Sequence, residues 1–216
     1  MTIIILLNNM KLVILIRGYL YKFYKPISSY KKLKNFKYLI NFTKLIERYE
    51  LLINKLSQKY DLEVIFTSYD TTPSNILDLL KSKGWKVELY QEYKSGQFTN
   101  TLNSLKNIHV TTLIIRNDLV MSNKLINILV NFNYQDLKNL TFLASEPIRK
   151  NKKIKYIDVL CILPPELITN FISQIKLYSN NPKNGGHYID YIPVQLITNK
   201  KWKSRSFNEY YQICRG

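Results

Sequence analysis

Three short runs of β-branched and aliphatic residues limit what this chain can fold into: Lys11–Ile16, Val64–Phe66 within Asp61–Tyr69, and Thr111–Ile115. Each is apolar at consecutive positions rather than at alternate ones, the pattern of a strand buried on both faces. Segments with helical apolar spacing separate them. Strands of this kind alternating with helices call for an α/β protein built on a mainly parallel sheet with helices on both faces.

The rest of the chain fills in that scheme. Between Lys32 and Lys59 the apolar positions Phe36, Leu39, Ile40, Leu45, Ile46, Tyr49, Leu52, Ile53 and Leu56 predict a long crossover helix, with a break near Asn41–Thr43. A short helix from Pro73 to Lys83 is followed by Gly84 at the position of a helix-ending glycine, and Trp85–Tyr90 reads as a third strand. Gln97–Asn107 is a helix with an apolar face of Phe98, Leu102 and Leu105, and Ser122 is placed to cap the helix after the Thr111–Ile115 strand. Leu140–Ala144 and Ile154–Leu163 add strands, Pro164 and Pro165 open another helix, and Val194–Thr198 reads as the last strand. Residues 1–9 precede Met10, which is a plausible start, and read as an N-terminal extension. Residues 10–199 form a single α/β domain, and 200–216 a basic tail.

Composition narrows the class less than the pattern does. A hydrophobic content of 46% excludes a disordered chain. The opening apolar stretch is interrupted by Asn8, Asn9 and Lys11 and lacks a basic leader, so neither a signal peptide nor a transmembrane segment is expected. Cys161 and Cys214 have neither metal nor disulfide spacing, which fits a reducing compartment. The net charge of +17 suggests an anionic partner, nucleic acid included. The basic residues are mostly scattered lysines, however, and no recognised nucleic-acid motif accompanies them. Neither G-x-G-x-x-G nor a Walker-type phosphate loop is present.

Polar residues at the strand ends supply the site candidates. The first strand ends in Arg17-Gly18, the second in Thr67-Ser68-Tyr69-Asp70, and the central one in Arg116-Asn117-Asp118. In open α/β sheets the carboxyl ends of the strands are where ligands bind; a solvated strand end looks the same in isolation. Asp158 interrupts an apolar strand, where a carboxylate needs a partner or a cleft. His187 follows Gly185-Gly186 on a loop, a position more often surface than ligand.

In that order and spacing, Arg17-Gly18, Thr67–Asp70, Arg116-Asn117-Asp118-Leu119, Asp158 and Gly186-His187 resemble the GT-A-type glycosyltransferase-like proteins of giant viruses and bacterial polysaccharide clusters. The resemblance spans about Met10 to Tyr191. It implies a Rossmann-like GT-A fold and sugar transfer from a nucleotide-sugar donor to a glycan or protein acceptor, with Mn²⁺ or Mg²⁺ as cofactor. It implies donor contacts at Arg17, Gly18, Thr67 and Arg116, metal ligands at Asp118 and His187, and Asp158 as the acceptor-side catalytic carboxylate. It also implies a cytoplasmic protein, in the host cytoplasm for a viral chain. The sequence departs from the pattern in three respects: Tyr21 stands where Gly-x-x-Arg has its Arg, the usual D-x-D is reduced to one acid, Asp118, and Tyr69 stands in place of the Trp at the end of the second strand. A GT-A-like binding protein without turnover and a basic nucleic-acid-binding protein are the alternative expectations.

Overall fold

The computed structural model describes residues 10–18, 42–70, 72–90, 97–142, 149–150, 153–154, 160–179, 203–204 and 211–213. Among these residues the main sheet has seven strands. Four are the expected parallel ones: β1 (Lys11–Arg17), β2 (Asp61–Tyr69), β3 (Lys86–Tyr90) and β4 (Thr112–Arg116). β5 (Leu119–Met121) follows β4 at once but lies outside this sheet. The sheet is completed by β6 (Thr141–Phe142), β9 (Leu160–Leu163) and β10 (Lys203–Ser204), in the order β10-β6-β9-β4-β1-β2-β3. β9 runs antiparallel to both of its neighbours, so one strand opposes the other six.

Two small pairings stand apart. β7 (Arg149–Lys150) and β8 (Lys153–Ile154) form a hairpin. β5 pairs antiparallel with β11 (Tyr211–Ile213), so the stretch expected as a basic tail contributes strands to two sheets. The long strand predicted over Ile154–Leu163 is described only as β8 and β9, with Asp158 outside the described residues. The predicted strand Val194–Thr198 and the start of the first helix, residues 32–41, also lie outside them.

Five helices among the described residues cover the sheet: α1 (Phe42–Leu56), α2 (Ser74–Ser82), α3 (Gln97–Leu105), α4 (Asn123–Val130) and α5 (Pro165–Ser179). Strand alternation divides the core in two. Leu12, Ile14 and Ile16 of β1 pack with Phe66, Leu113 and Ile115 against α1, α2 and α4, through Leu45, Tyr49, Leu52, Leu80, Leu125 and Leu129. Val13 and Leu15 face the other way, with Ile65, Ile114 and Cys161, against Leu102 and Leu105 of α3 and Ile168 and Phe171 of α5. Cys161 is thus a small core hydrophobe, as its apolar setting predicts.

Topology explains why α3 lies opposite α1 and α2. From β1 the chain steps outward to β2 and β3, then returns past β1 to build β4 on its far side. Right-handed crossovers place the connecting helix on one face for steps in one direction and on the opposite face once the direction reverses.

Gly84 ends α2 as its position predicts, with φ of 75°. The Trp85 N–H donates to the Leu80 carbonyl at 3.3 Å and the Gly84 N–H to Lys81 at 2.9 Å, the paired bonds of a Schellman motif. Ser122 caps α4, its Oγ accepting from the Leu125 N–H at 3.2 Å. A methyl group at Gly84 would meet nothing within 4 Å, so only the left-handed backbone resists a side chain there. Gly84→Ala should therefore cost about 1–2 kcal/mol, measured by urea unfolding. An unchanged midpoint would show that this turn does not hold the left-handed conformation.

Candidate functional site

The strand order reverses at β1. Its neighbour on one side, β2, leads to the edge, and its neighbour on the other, β4, begins the return path. Outside the carboxyl ends of two strands that part in this way lies a crevice, because the connections leaving them diverge to opposite faces. Arg17 and Gly18 end one of these strands, and Arg116 and Asn117 end the other.

Register places the polar residues in one row. Arg17 is opposite Thr67 on β2 and Arg116 on β4, and Thr67 is opposite Glu88 on β3. Two residues earlier, on the same face, the row is Ile65, Leu15, Ile114 and Cys161. The α3 and α5 side of the sheet therefore changes from apolar to polar within a single strand repeat. On the opposite face, Phe66, Ile16 and Ile115 keep the core apolar to the strand ends. Arg17 and Thr67 are each only 1% exposed.

The ends of β1 and β4 are stitched together. The Asn117 N–H donates to the Arg17 carbonyl at 2.8 Å. The Asn117 carboxamide lies over Gly18, so close that a Cβ there would sit 2.5 Å from Asn117 Oδ1. Gly18 also has a φ of 135°, which L side chains rarely adopt. From the other face, the buried Tyr49 of α1 donates its hydroxyl to the Arg116 carbonyl at 2.6 Å.

Within the turn, Arg116 grips Asp118 with two bonds, Nε to Oδ1 at 2.9 Å and a terminal guanidinium nitrogen to Oδ2 at 2.5 Å. The two side chains are 24% and 18% exposed, so the pair is partly open to solvent.

α3 closes the row from above. Leu102 and Leu105 are buried as expected, but so are the polar Asn100, Thr101 and Ser104, which share a second stripe of the helix. Ser104 Oγ donates to Glu88 Oε2 at 2.5 Å, and the Tyr90 hydroxyl donates to the same oxygen at 2.8 Å. Lys86 bridges the other carboxylate oxygen at 2.8 Å. Burial pulls the Glu88 carboxyl upward, but bonds from Lys86, Ser104 and Tyr90 outweigh it and hold it below the ordinary glutamate value. Burial is also the main reason the Tyr90 phenol is pushed up to about 12.

Three buried polar atoms in this region have no hydrogen-bond partner among the described residues: Thr67 Oγ1, Asn117 Nδ2 and Asn100 Oδ1. Burying such groups without a partner costs about 1–3 kcal/mol each. Groups of this kind near the carboxyl ends of an α/β sheet could receive the missing bonds from a polar ligand.

Of the residues expected at the site, Arg17, Gly18, Thr67, Arg116 and Asp118 come together at this edge, while Asp158 and His187 lie outside the described residues. Because β9 is antiparallel, its first residue, Leu160, pairs with Ile115 at this same edge. Sequence reasoning missed Asn117, Tyr49 and the Glu88, Tyr90 and Ser104 clasp. A tyrosine inside a helix's buried stripe was the one legible signal, since a buried phenol needs an acceptor.

A divalent cation does not fit the described donors as they stand. Both Asp118 oxygens are engaged by Arg116, and no group of three His, Cys, Asp or Glu capable of holding a metal occurs among the described residues. No helix among them is long and apolar enough to cross a membrane.

No protein-family profile matches the sequence, and no curated protein matches it. Solved structures do match the fold. A protein assigned as a glucose-1-phosphate thymidylyltransferase from Bacillus anthracis, in complex with sucrose, aligns with a TM-score of 0.54 and 12% identity, over 92% of this chain and 87% of that one. HddC from Yersinia pseudotuberculosis, complexed with GMP-PN, aligns with 0.52 and 13%, over 95% and 93%. A cytidylyltransferase from Leptospira borgpetersenii aligns with 0.51 and 16%, over 94% and 80%. The chain therefore has the α/β, Rossmann-like fold shared by nucleotidyltransferases and GT-A-type proteins.

Gly18→Ala should destabilise the protein by about 1–3 kcal/mol through backbone strain and the clash with Asn117. Adding Asn117→Ala should recover the clash component, read by urea unfolding as non-additivity in a double-mutant cycle; strictly additive losses would separate the two residues. For Glu88, whose folded value is depressed, the stabilisation is present above the unfolded value and is lost as pH falls through the folded one. The stability gap between the native chain and Glu88→Gln should be full near neutrality and close below about pH 4. A gap independent of pH would break the assignment.

Proposed function

We propose that this chain is a nucleotide-binding transferase that holds a nucleotide-sugar at the carboxyl ends of β1, β2 and β4 and passes the sugar to a glycan or protein acceptor. The observation that carries this is the placement of Arg17, Arg116, Thr67 Oγ1 and Asn117 Nδ2 together at the strand switch point, with Gly18 giving close backbone approach.

Transfer breaks the bond between the sugar and the diphosphate and forms one to an acceptor oxygen. The departing diphosphate gains negative charge, and prearranged donors lower the cost of that charge. Guanidinium groups suit this role because their fork matches phosphate oxygens. The acceptor hydroxyl must lose its proton, and we assign that proton to Asp158, two residues ahead of Leu160 in the sequence. Mn²⁺ or Mg²⁺, as the resemblance implies, would need ligands beyond the described donors, and His187 is the remaining candidate.

A second reading, nucleotidyl transfer, is favoured by the thymidylyltransferase and cytidylyltransferase likeness. The two reactions leave different products: nucleoside diphosphate in the first, pyrophosphate in the second. The native chain should melt several degrees higher with a saturating nucleoside-diphosphate sugar, since a ligand at a hundredfold its Kd adds about 2.7 kcal/mol. Thr67→Val should reduce the shift. A melting temperature unmoved across uridine, guanosine, cytidine and thymidine diphosphate sugars, with and without Mn²⁺, would sink the proposal. Retention on random DNA with a steep salt dependence would then favour the nucleic-acid alternative.

A further inference from the structure

The Arg116 and Asp118 pair is bidentate and joins residues only two apart, in the turn that follows β4. A carboxylate bound in this way occupies the two guanidinium N–H groups that a phosphate would use, since both anions present paired oxygens to the same planar fork. The pair is partly exposed, so an anion arriving from solvent can reach it. Asn117, between the two in sequence, and Thr67, in the same row on the far side of Arg17, carry buried donor groups with no partner among the described residues, Nδ2 and Oγ1. The carboxylate therefore satisfies one part of a donor array whose other parts remain unfilled.

We infer that Asp118 is a built-in stand-in for the ligand's phosphate, which the phosphate displaces from Arg116 on binding. Asp118 is then a competitor for the guanidinium and not the resident ligand of a divalent cation. This rests on the proposal that nucleotide phosphates bind at the ends of β1 and β4. The exchange keeps Arg116 in one orientation in the empty protein and spares it the cost of an uncompensated charge. The same pairing weakens binding of any anion that cannot replace two good hydrogen bonds at once. Single carboxylates and chloride are disfavoured, and chelating di- and triphosphates are favoured. No covalent step is involved; Arg116 exchanges one set of bonds for another.

The test uses the full chain with inorganic pyrophosphate as probe, titrated calorimetrically in EDTA and again in Mn²⁺. Removing the competitor should strengthen binding: Asp118→Asn should bind pyrophosphate about tenfold tighter than the native chain in EDTA, the size of one charge-assisted bond no longer given up. Asp118→Ala should behave alike, so that a folding defect in one variant leaves the other to report, with melting curves identifying which is folded. Arg116→Gln should weaken binding in the same buffer. Equal or weaker binding by both folded Asp118 variants, or the loss in them of a Mn²⁺-dependent binding that the native chain shows, would overturn the exchange and return Asp118 to a metal-ligand role. If the native chain responds to a nucleotide-sugar while the Asp118 variants gain nothing, the exchange alone fails. If it responds to neither pyrophosphate nor any nucleotide-sugar, the site assignment fails with it.

Discussion

The register of β1 between β2 and β4 is the constraint on which the rest depends. β1 is hydrogen-bonded along both edges, and its side chains alternate between two apolar layers. A slip of one residue would turn every side chain to the wrong face. The same register that fits Leu15 between Ile65 and Ile114 puts Arg17 between Thr67 and Arg116. The core and the site are therefore fixed by one set of backbone bonds, and the site inherits the rigidity of a strand buried at every position from Leu12 to Arg17.

That inheritance explains how buried polar groups are tolerated here. An arginine in a sheet's last row and orphaned donors beside it oppose folding, and they are carried by an apolar core directly beneath them. Tyr49 reaches the Arg116 carbonyl from the helical layer on the other side, so both faces of the sheet hold the turn in place. Polar residues on α3 close the row from above, where a continuous apolar stripe would have sealed it shut.

Much of the architecture was legible in the sequence because its signals are local. Aliphatic runs marked β1, β2 and β4; helical spacing marked α1; Gly84 and Ser122 marked helix ends by their own chemistry. The antiparallel direction of β9 left no such trace, since Leu160–Leu163 is apolar whichever way it runs. The pairing of β5 with β11 was equally silent, because three residues after a turn carry no period. At the site, Arg17, Thr67 and Arg116 were visible as polar residues closing apolar runs. What sequence could not carry was the bidentate hold of Arg116 on Asp118, which is a matter of side-chain direction. Asn117 was hidden for the opposite reason: its role comes from the space that Gly18 leaves, a hundred residues away in order of magnitude along the chain.

β5 leaves the Arg116-Asn117-Asp118 turn and is paired by β11, a strand drawn from far along the chain. The entropy of closing a loop grows only slowly with its length, so pairing of distant segments is not prohibitive. β1 and β4 are joined across a comparable stretch of chain, Val13 pairing with Thr112 as Met121 pairs with Tyr211. The turn that carries Arg116 and Asp118 is thus held between two long-range pairings, β1 with β4 before it and β5 with β11 after it, so segments from both ends of the chain fix its backbone path.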